Sequence, residues 1–222
     1  TEADPHEIHN LAADPRHLDK LHELRAAHEA CLAILREDPT HADAWFLCGV
    51  IAAGNGQHSK EIEIFDRAMS LDPDNTEYLG EQAKSLVADR RPGPALALAR
   101  RALTSGPDDP RVLSNLGTVL SHCGEPAEAL PCFQRVCDIY REKSVEPAVA
   151  AEAWFNLGAT LKFTGHFAAA ESAYEQAIAL YKSALESDPN FGRAYSGWAV
   201  AAHHLGRSAE AEEVWDKALS LM

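Results

Sequence analysis

Self-similarity at a fixed spacing constrains this chain more than any other feature. Ala42, Thr76 and Pro110 are offset by 34 residues, and Ala151 and Gly192 follow at offsets of 41. In each of the five units a large apolar residue stands fourth, at Trp45, Leu79, Leu113, Trp154 and Tyr195. A small residue stands eighth, at Gly49, Ala83, Gly117, Gly158 and Ala199. A turn glycine closes the first half in four units, at Gly56, Gly124, Gly165 and Gly206. The second half carries alanine (Ala95, Ala129, Ala170, Ala211), usually an aromatic four places later (Phe65, Phe133, Tyr174, Trp215), and mostly alanine again (Ala68, Ala102, Ala177, Ala218). Two helices can lie antiparallel at close range only where small side chains admit the approach and large ones fill the flanks. Glycine lets the chain take the left-handed conformation that turns it back, and Pro73, Pro107 and Pro189 stop each second helix. One such hairpin cannot bury its own faces, so the units must stack. The 39 alanines among 222 residues, against 12 prolines and 13 glycines, fit closely packed helices of high propensity.

The pattern resembles the tetratricopeptide repeat, whose W-x-x-L-G-x-x-Y, A-x-x-x-F and P places are approximated five times in phase. The nearest copy is Trp154-Phe155-Asn156-Leu157-Gly158, with Leu161 in the tyrosine place and Ala170 and Tyr174 in the second helix. The resemblance implies an all-α, right-handed superhelical solenoid of antiparallel helix pairs, about 12 helices in all. Five units are expected over 41–222, starting near 42, 76, 110, 151 and 192, behind a helical cap or degenerate repeat over 1–40. In that cap, Asp4-Pro5 and Asp14-Pro15 read as helix starts, giving a short helix near 5–13 and a longer one near 16–37. Leu21, Leu24, Ala27, Cys31 and Ile34 of the longer helix are expected inward.

Two departures carry expectations of their own. The third and fourth units each hold seven extra residues, two helical turns, which predicts long second helices with Arg141 to Glu146 as the charged end of the first. Glu61 stands in an alanine place, where Gly49 opposite is expected to leave its carboxylate room to reach water or Lys60.

Composition narrows the function. Twenty Lys and Arg against 34 Asp and Glu leave a net charge of −14, whose mean field repels polyanions and argues against nucleic acid as a partner. The longest nearly apolar stretch, Ala44 to Ala53, is half what a membrane span needs. Five cysteines without a Cys-x-x-Cys pair argue against a disulfide framework or zinc finger, and point to a reducing, cytoplasmic setting. The chain opens on Thr1 rather than Met, which reads as processing or excision from something longer and leaves room for a leader already removed.

No catalytic signature stands out. His22-Glu23 and His28-Glu29 lack the second histidine of a zinc-protease motif, and Gly54-x-Gly56 lies in a helix–helix turn rather than after a strand. Six of the 11 histidines fall in the first 41 residues without a carboxylate at ligand spacing, so no metal and no cofactor are expected. The expected function is non-catalytic binding of a peptide or protein segment.

The resemblance places the binding groove on the first helices of successive units. Its candidate residues here are Phe46, Val50, Lys84, Arg111, Asn115, His122, Phe155, Asn156, Lys162, Arg193 and His203. Leu47 joins Phe46 and Val50 as an apolar part, and His204 follows His203. Over the full set of groove places, Asp43, Glu77 and Glu81 against Lys84 leave −2 in the first two units. Arg111, Lys162 and Arg193 against Glu152 leave +2 in the last three, a polarity that should orient a bound segment. The Lys/Asn clamp of chaperone-binding members is incomplete, whereas Asn115 and Asn156, both sixth in their units, resemble the asparagine ladder of O-linked N-acetylglucosamine transferase. A side-chain amide both donates and accepts, so it pairs with any peptide backbone. Two alternatives stay open: a substrate-recruiting segment of a larger glycosyltransferase or sulfotransferase, and a self-assembling structural protein. The apolar side of the last helix, with Val214, Leu219 and Leu221, is expected to support homo-oligomers.

Overall fold

The computed structural model describes residues 15–54 and 58–221, and among these every regular element is an α-helix. There are eleven: α1 (Pro15–Glu37), α2 (Ala42–Gly54), α3 (His58–Leu71), α4 (Thr76–Ala88), α5 (Pro92–Thr104), α6 (Pro110–His122), α7 (Pro126–Glu142), α8 (Pro147–Phe163), α9 (Phe167–Ser187), α10 (Gly192–His204) and α11 (Ser208–Leu219). The helix expected near 5–13 and the turn glycine Gly56 lie outside the described residues. The chain divides into two units, one through Gly106 and one from Pro107.

Helix starts follow the side chains that can satisfy free N–H groups. The Asn75 side chain accepts from the N–H of Glu77 and Tyr78, and the Asp109 side chain from Arg111 and Val112. Pro92, Pro110, Pro126 and Pro147 occupy first-turn places where a missing N–H costs nothing. The turns within pairs are alike. Gly124, Gly165 and Gly206 sit at φ +84°, +81° and +73°, and Arg90 takes the same place at φ +58°. The residue after each folds its N–H back onto the preceding helix: Arg91 to Leu86, Glu125 to Leu120, His166 to Leu161 and Arg207 to Ala202, at 2.8–3.0 Å.

Each pair is locked by a ring against a glycine. A Cβ on Gly117 would come within 2.8 Å of the Phe133 ring, one on Gly158 within 3.0 Å of Tyr174, and one on Gly49 within 2.5 Å of Phe65. All three rings are buried. In the first unit Phe46, Phe65, Ala68 and Tyr78 form a core, with the Phe46 and Tyr78 rings stacked 4.6 Å apart. In the second, Ala151, Ala177, Tyr181 and Ala194 join α8, α9 and α10, and Gly197 leaves the space that the Tyr181 ring fills.

Four expectations are corrected. The Phe65 ring takes the space beside Gly49, so Glu61 is buried and its carboxylate does not reach water. Of the α1 residues expected inward, Cys31 is buried but Ala27 and Ile34 are exposed, and the side chains of Leu21 and Leu24 lie outside those described. The seven extra residues of the third repeat, which starts at Pro110, do not all lengthen its second helix. Helix α7 ends at Glu142, Lys143 is extended, and Pro147 starts α8 four residues before Ala151. Arg141 therefore ends α7 and lies over the Trp154 ring at 4.5 Å, while the stretch through Glu146 is the connection. Finally, Val214 is buried within the last pair rather than open.

Helix α9 keeps 21 residues, with Tyr174, Ala177, Ile178, Tyr181 and Leu185 all buried along one side. Burial pushes the Cys48 and Cys132 thiols up to about 11 and Cys137 up to about 12, so these cysteines stay protonated and pack as small hydrophobes.

Candidate functional site

The first helices of each unit carry the candidate residues. In the first unit these are α2 and α4. Phe46 is a correction: it is 6% exposed, under the rings of Phe65 and Tyr78, and belongs to the core. The ring that α4 brings over the fifth place of α2 closes it off. Leu47 and Val50 are instead 48% and 40% exposed, an apolar surface on α2. Asp43 accepts a hydrogen bond from the Tyr78 hydroxyl, whose pKa rises through burial and through this partner. Lys84 is exposed and paired to Glu81 at 3.0 Å.

In the second unit the corresponding helices are α6, α8 and α10. Arg111 is exposed, 3.6 Å from the capping carboxylate of Asp109. Asn115 is half-buried, and His122 is exposed with Nδ1 2.9 Å from the Thr118 carbonyl, one turn back. Between α8 and α10 the structure forms two polar rungs. Glu152 meets Arg193 at 2.9 Å, and Lys162 meets His204, Nζ to Nδ1, at 3.3 Å. Phe155 and Asn156 are half-buried between them. The Phe155 ring lies 6.0 Å from that of His204, and the Asn156 amide meets no partner among the described residues. His203 is exposed, its ring 6.2 Å from that of His204.

These contacts reduce the polarity expected from the sequence. Lys84, Arg111 and Arg193 each have a carboxylate at hand, so their charges are spent locally. Lys162 is the exception. His204, which ranks low in a reading by charge because imidazole is mostly neutral, is central here: its ring stacks on Tyr174 at 4.9 Å. Burial first, then Lys162 and His203, hold its pKa below the usual value. The signal was present in register, since Lys162 and His204 stand twelfth and thirteenth in adjacent units. No three or more His, Cys, Asp or Glu among the described residues are placed to hold a metal ion, and no described helix is long and apolar enough to cross a membrane.

The ring-on-glycine hairpins, the recurring turns and the matched first helices define a repeat protein of paired helices. The chain belongs to the tetratricopeptide repeat family, whose models match residues 16–76, 108–183 and 168–220. Among curated proteins it is similar to a peroxisomal targeting signal receptor of Kluyveromyces lactis, 26% identical over 91% of this chain and 39% of that one. It is also similar to tetratricopeptide repeat protein 8 of Caenorhabditis elegans, 22% identical over 72% of this chain and 29% of that one. The chain thus spans about two fifths or less of these relatives. Among solved structures, a chain of the APC/C hetero-tetramer Cut9–Hcn1 superposes with a TM-score of 0.71, at 18% identity, over 90% of this chain and 37% of that one. YrrB, described as having an unusual peptide-binding site, gives 0.53 at 21% identity over 88% and 93% of the two chains. MamA gives 0.54 at 23% over 78% and 93%. At these identities the structural likenesses establish the fold.

Proposed function

We propose that this chain is a non-catalytic scaffold that binds a peptide or protein segment along the exposed faces of its first helices. The observation that carries the reading is the pairing of α8 with α10 in matched rungs, Glu152 with Arg193 and Lys162 with His204, around the open amide of Asn156. A face built from equivalent places of successive helices offers an extended ligand the same chemistry at regular steps. In the unit from Pro107, Asn115 and Asn156 would pair with the ligand's backbone. The similarity to proteins named as targeting signal receptors, and to one described by its peptide-binding site, supports recognition of a segment over catalysis. A cytoplasmic setting is part of the proposal, resting on five cysteines none of which forms a disulfide.

Capture of partners from native lysate, with the wild-type chain beside Asn115→Ala/Asn156→Ala, tests the reading. Partners held by the wild type and lost by the double variant are expected. Equal capture by both would remove the first-helix face as the site.

A further inference from the structure

We propose that the cavity over Tyr174, bounded by the end of α8, the start of α9 and the end of α10, is a subsite for a carboxylate, with Lys162 as its cationic partner. The inference rests on the segment-binding reading above for where the carboxylate comes from, but its geometry stands alone.

The cavity holds about 210 Å³ and is lined by Lys162, Phe167, Glu171, Tyr174, His204 and Leu205, with Ala170. That volume suits one side chain or a chain end. Its apolar part is the Tyr174 ring, Leu205 and Phe167, whose own ring is 69% exposed. Two donors stand in its lining: the Lys162 ammonium, which also donates to Nδ1 of His204, and the Tyr174 hydroxyl, buried and without a hydrogen-bond partner among the described residues. Lys162 meets no carboxylate among the described residues, unlike Lys84, Arg111 and Arg193. An ammonium whose nearest polar partner is a neutral ring keeps its full charge for an arriving anion.

Glu171 is the one carboxylate in the lining, and among the described residues it makes no ion pair. It opposes any anion while Lys162 attracts one, and both effects scale with the anion's charge, so charge alone does not choose between a carboxylate and a phosphate. The two donors match the two oxygens of a carboxylate, whereas a third phosphate oxygen would be left against Glu171, and the cavity should therefore favour the carboxylate.

The readout is the His204 imidazole, followed by NMR on the full chain. Lys162, His203 and Glu171 are the charged or titratable groups around it, with Tyr174 and Phe155 as its ring neighbours. Three probes are added: acetyl-Ala-Glu-amide, acetyl-Ala-Ala with a free C-terminal carboxylate, and acetyl-Ala-phosphoserine-amide. Acetyl-Ala-Gln-amide is the uncharged control. A bound carboxylate offsets the repulsion from Lys162, so either carboxylate probe should raise the His204 pKa while the control leaves it in place. Which of the two binds more tightly tells a side-chain acid from a chain terminus. Lys162→Met keeps the stem and should weaken binding about two- to fivefold, as expected for one exposed ion pair. Glu171→Gln should tighten it by a similar factor.

An equal response to the Gln control, full binding by Lys162→Met, or tighter binding of the phosphoserine probe would overturn the assignment. No partner is needed for this measurement. A flat His204 response removes the subsite even if partner capture depends on Asn115 and Asn156, and the reverse pair of results removes the segment-binding reading alone.

Discussion

Arg90 stands where Gly124, Gly165 and Gly206 make the same turn, and it holds φ +58° with a side chain that opposes it. A non-glycine residue in the left-handed region costs about 1–2 kcal/mol, partly offset in any glycine variant by the freedom glycine gains on unfolding. Arg90→Gly should therefore raise stability by roughly 1 kcal/mol, seen as a higher midpoint in thermal melts. An unchanged or lower midpoint would show that Arg90 earns its place through contacts beyond the backbone. His204 gives a second test at this scale. Its folded pKa lies below the ordinary histidine value of about 6.5, so as pH falls through that value the unfolded chain takes up a proton before the folded one. Stability should fall with pH from about 6.5 downward and level off below the folded pKa. Denaturant titrations of wild type and His204→Gln should converge on the acid side, and parallel curves would deny the histidine this role. Of the candidate face, the sequence made the register legible but not the burial. Phe46 carries the right number for an open place, yet a ring from α4 covers it. No property of Phe46 itself announces Tyr78.

At the scale of helices, the glycine–ring contacts were the most readable feature, because a small residue and an aromatic recur at a fixed separation. They also make unequal predictions for chemically identical changes. Gly117→Ala drives a methyl into the Phe133 ring and should cost about 1–3 kcal/mol. Gly93→Ala, whose added carbon meets nothing within 4 Å beyond its chain neighbours, sets the helix propensity of alanine against the strain of a helical residue before Pro94, and should change stability by less than about 1 kcal/mol. Equal effects in denaturant melts would mean that the rings simply move aside. The insertion after the third unit was less legible. Helical periodicity favours running α7 onward, whereas Pro147 at a first-turn position allows α8 to begin early, and local sequence does not decide between them. The close fit of Gly197 on Tyr181 was also hidden, since it joins helices of different units at places outside the recurring pattern.

Over the whole molecule, the net charge of −14 works against association, and so any self-contact must come from an apolar surface. The last pair offers one. Trp215 is 44% and Leu219 56% exposed, and Trp215 borders an open cavity of about 590 Å³ with Ala199, Val200 and Ala211. Tyr174, in the equivalent place one unit earlier, is 1% exposed because the His204 ring lies on it. We expect concentration-dependent association through α10 and α11. Light scattering should register dimers or larger species for the wild type and a smaller species for Trp215→Lys, and a wild type that stays monomeric at high concentration would reject the idea. The ring-on-glycine contacts have a last consequence, in time rather than in space. Gly49 and Phe65, Gly117 and Phe133, and Gly158 and Tyr174 are each sixteen residues apart. Contacts so close along the chain close quickly, since little loop entropy is lost in forming them. At about 5–20 residues per second, synthesis delivers the ring on the order of a second or more after its glycine. A helix pair of this kind relaxes far faster than that, so each lock can shut while the next pair is still being made.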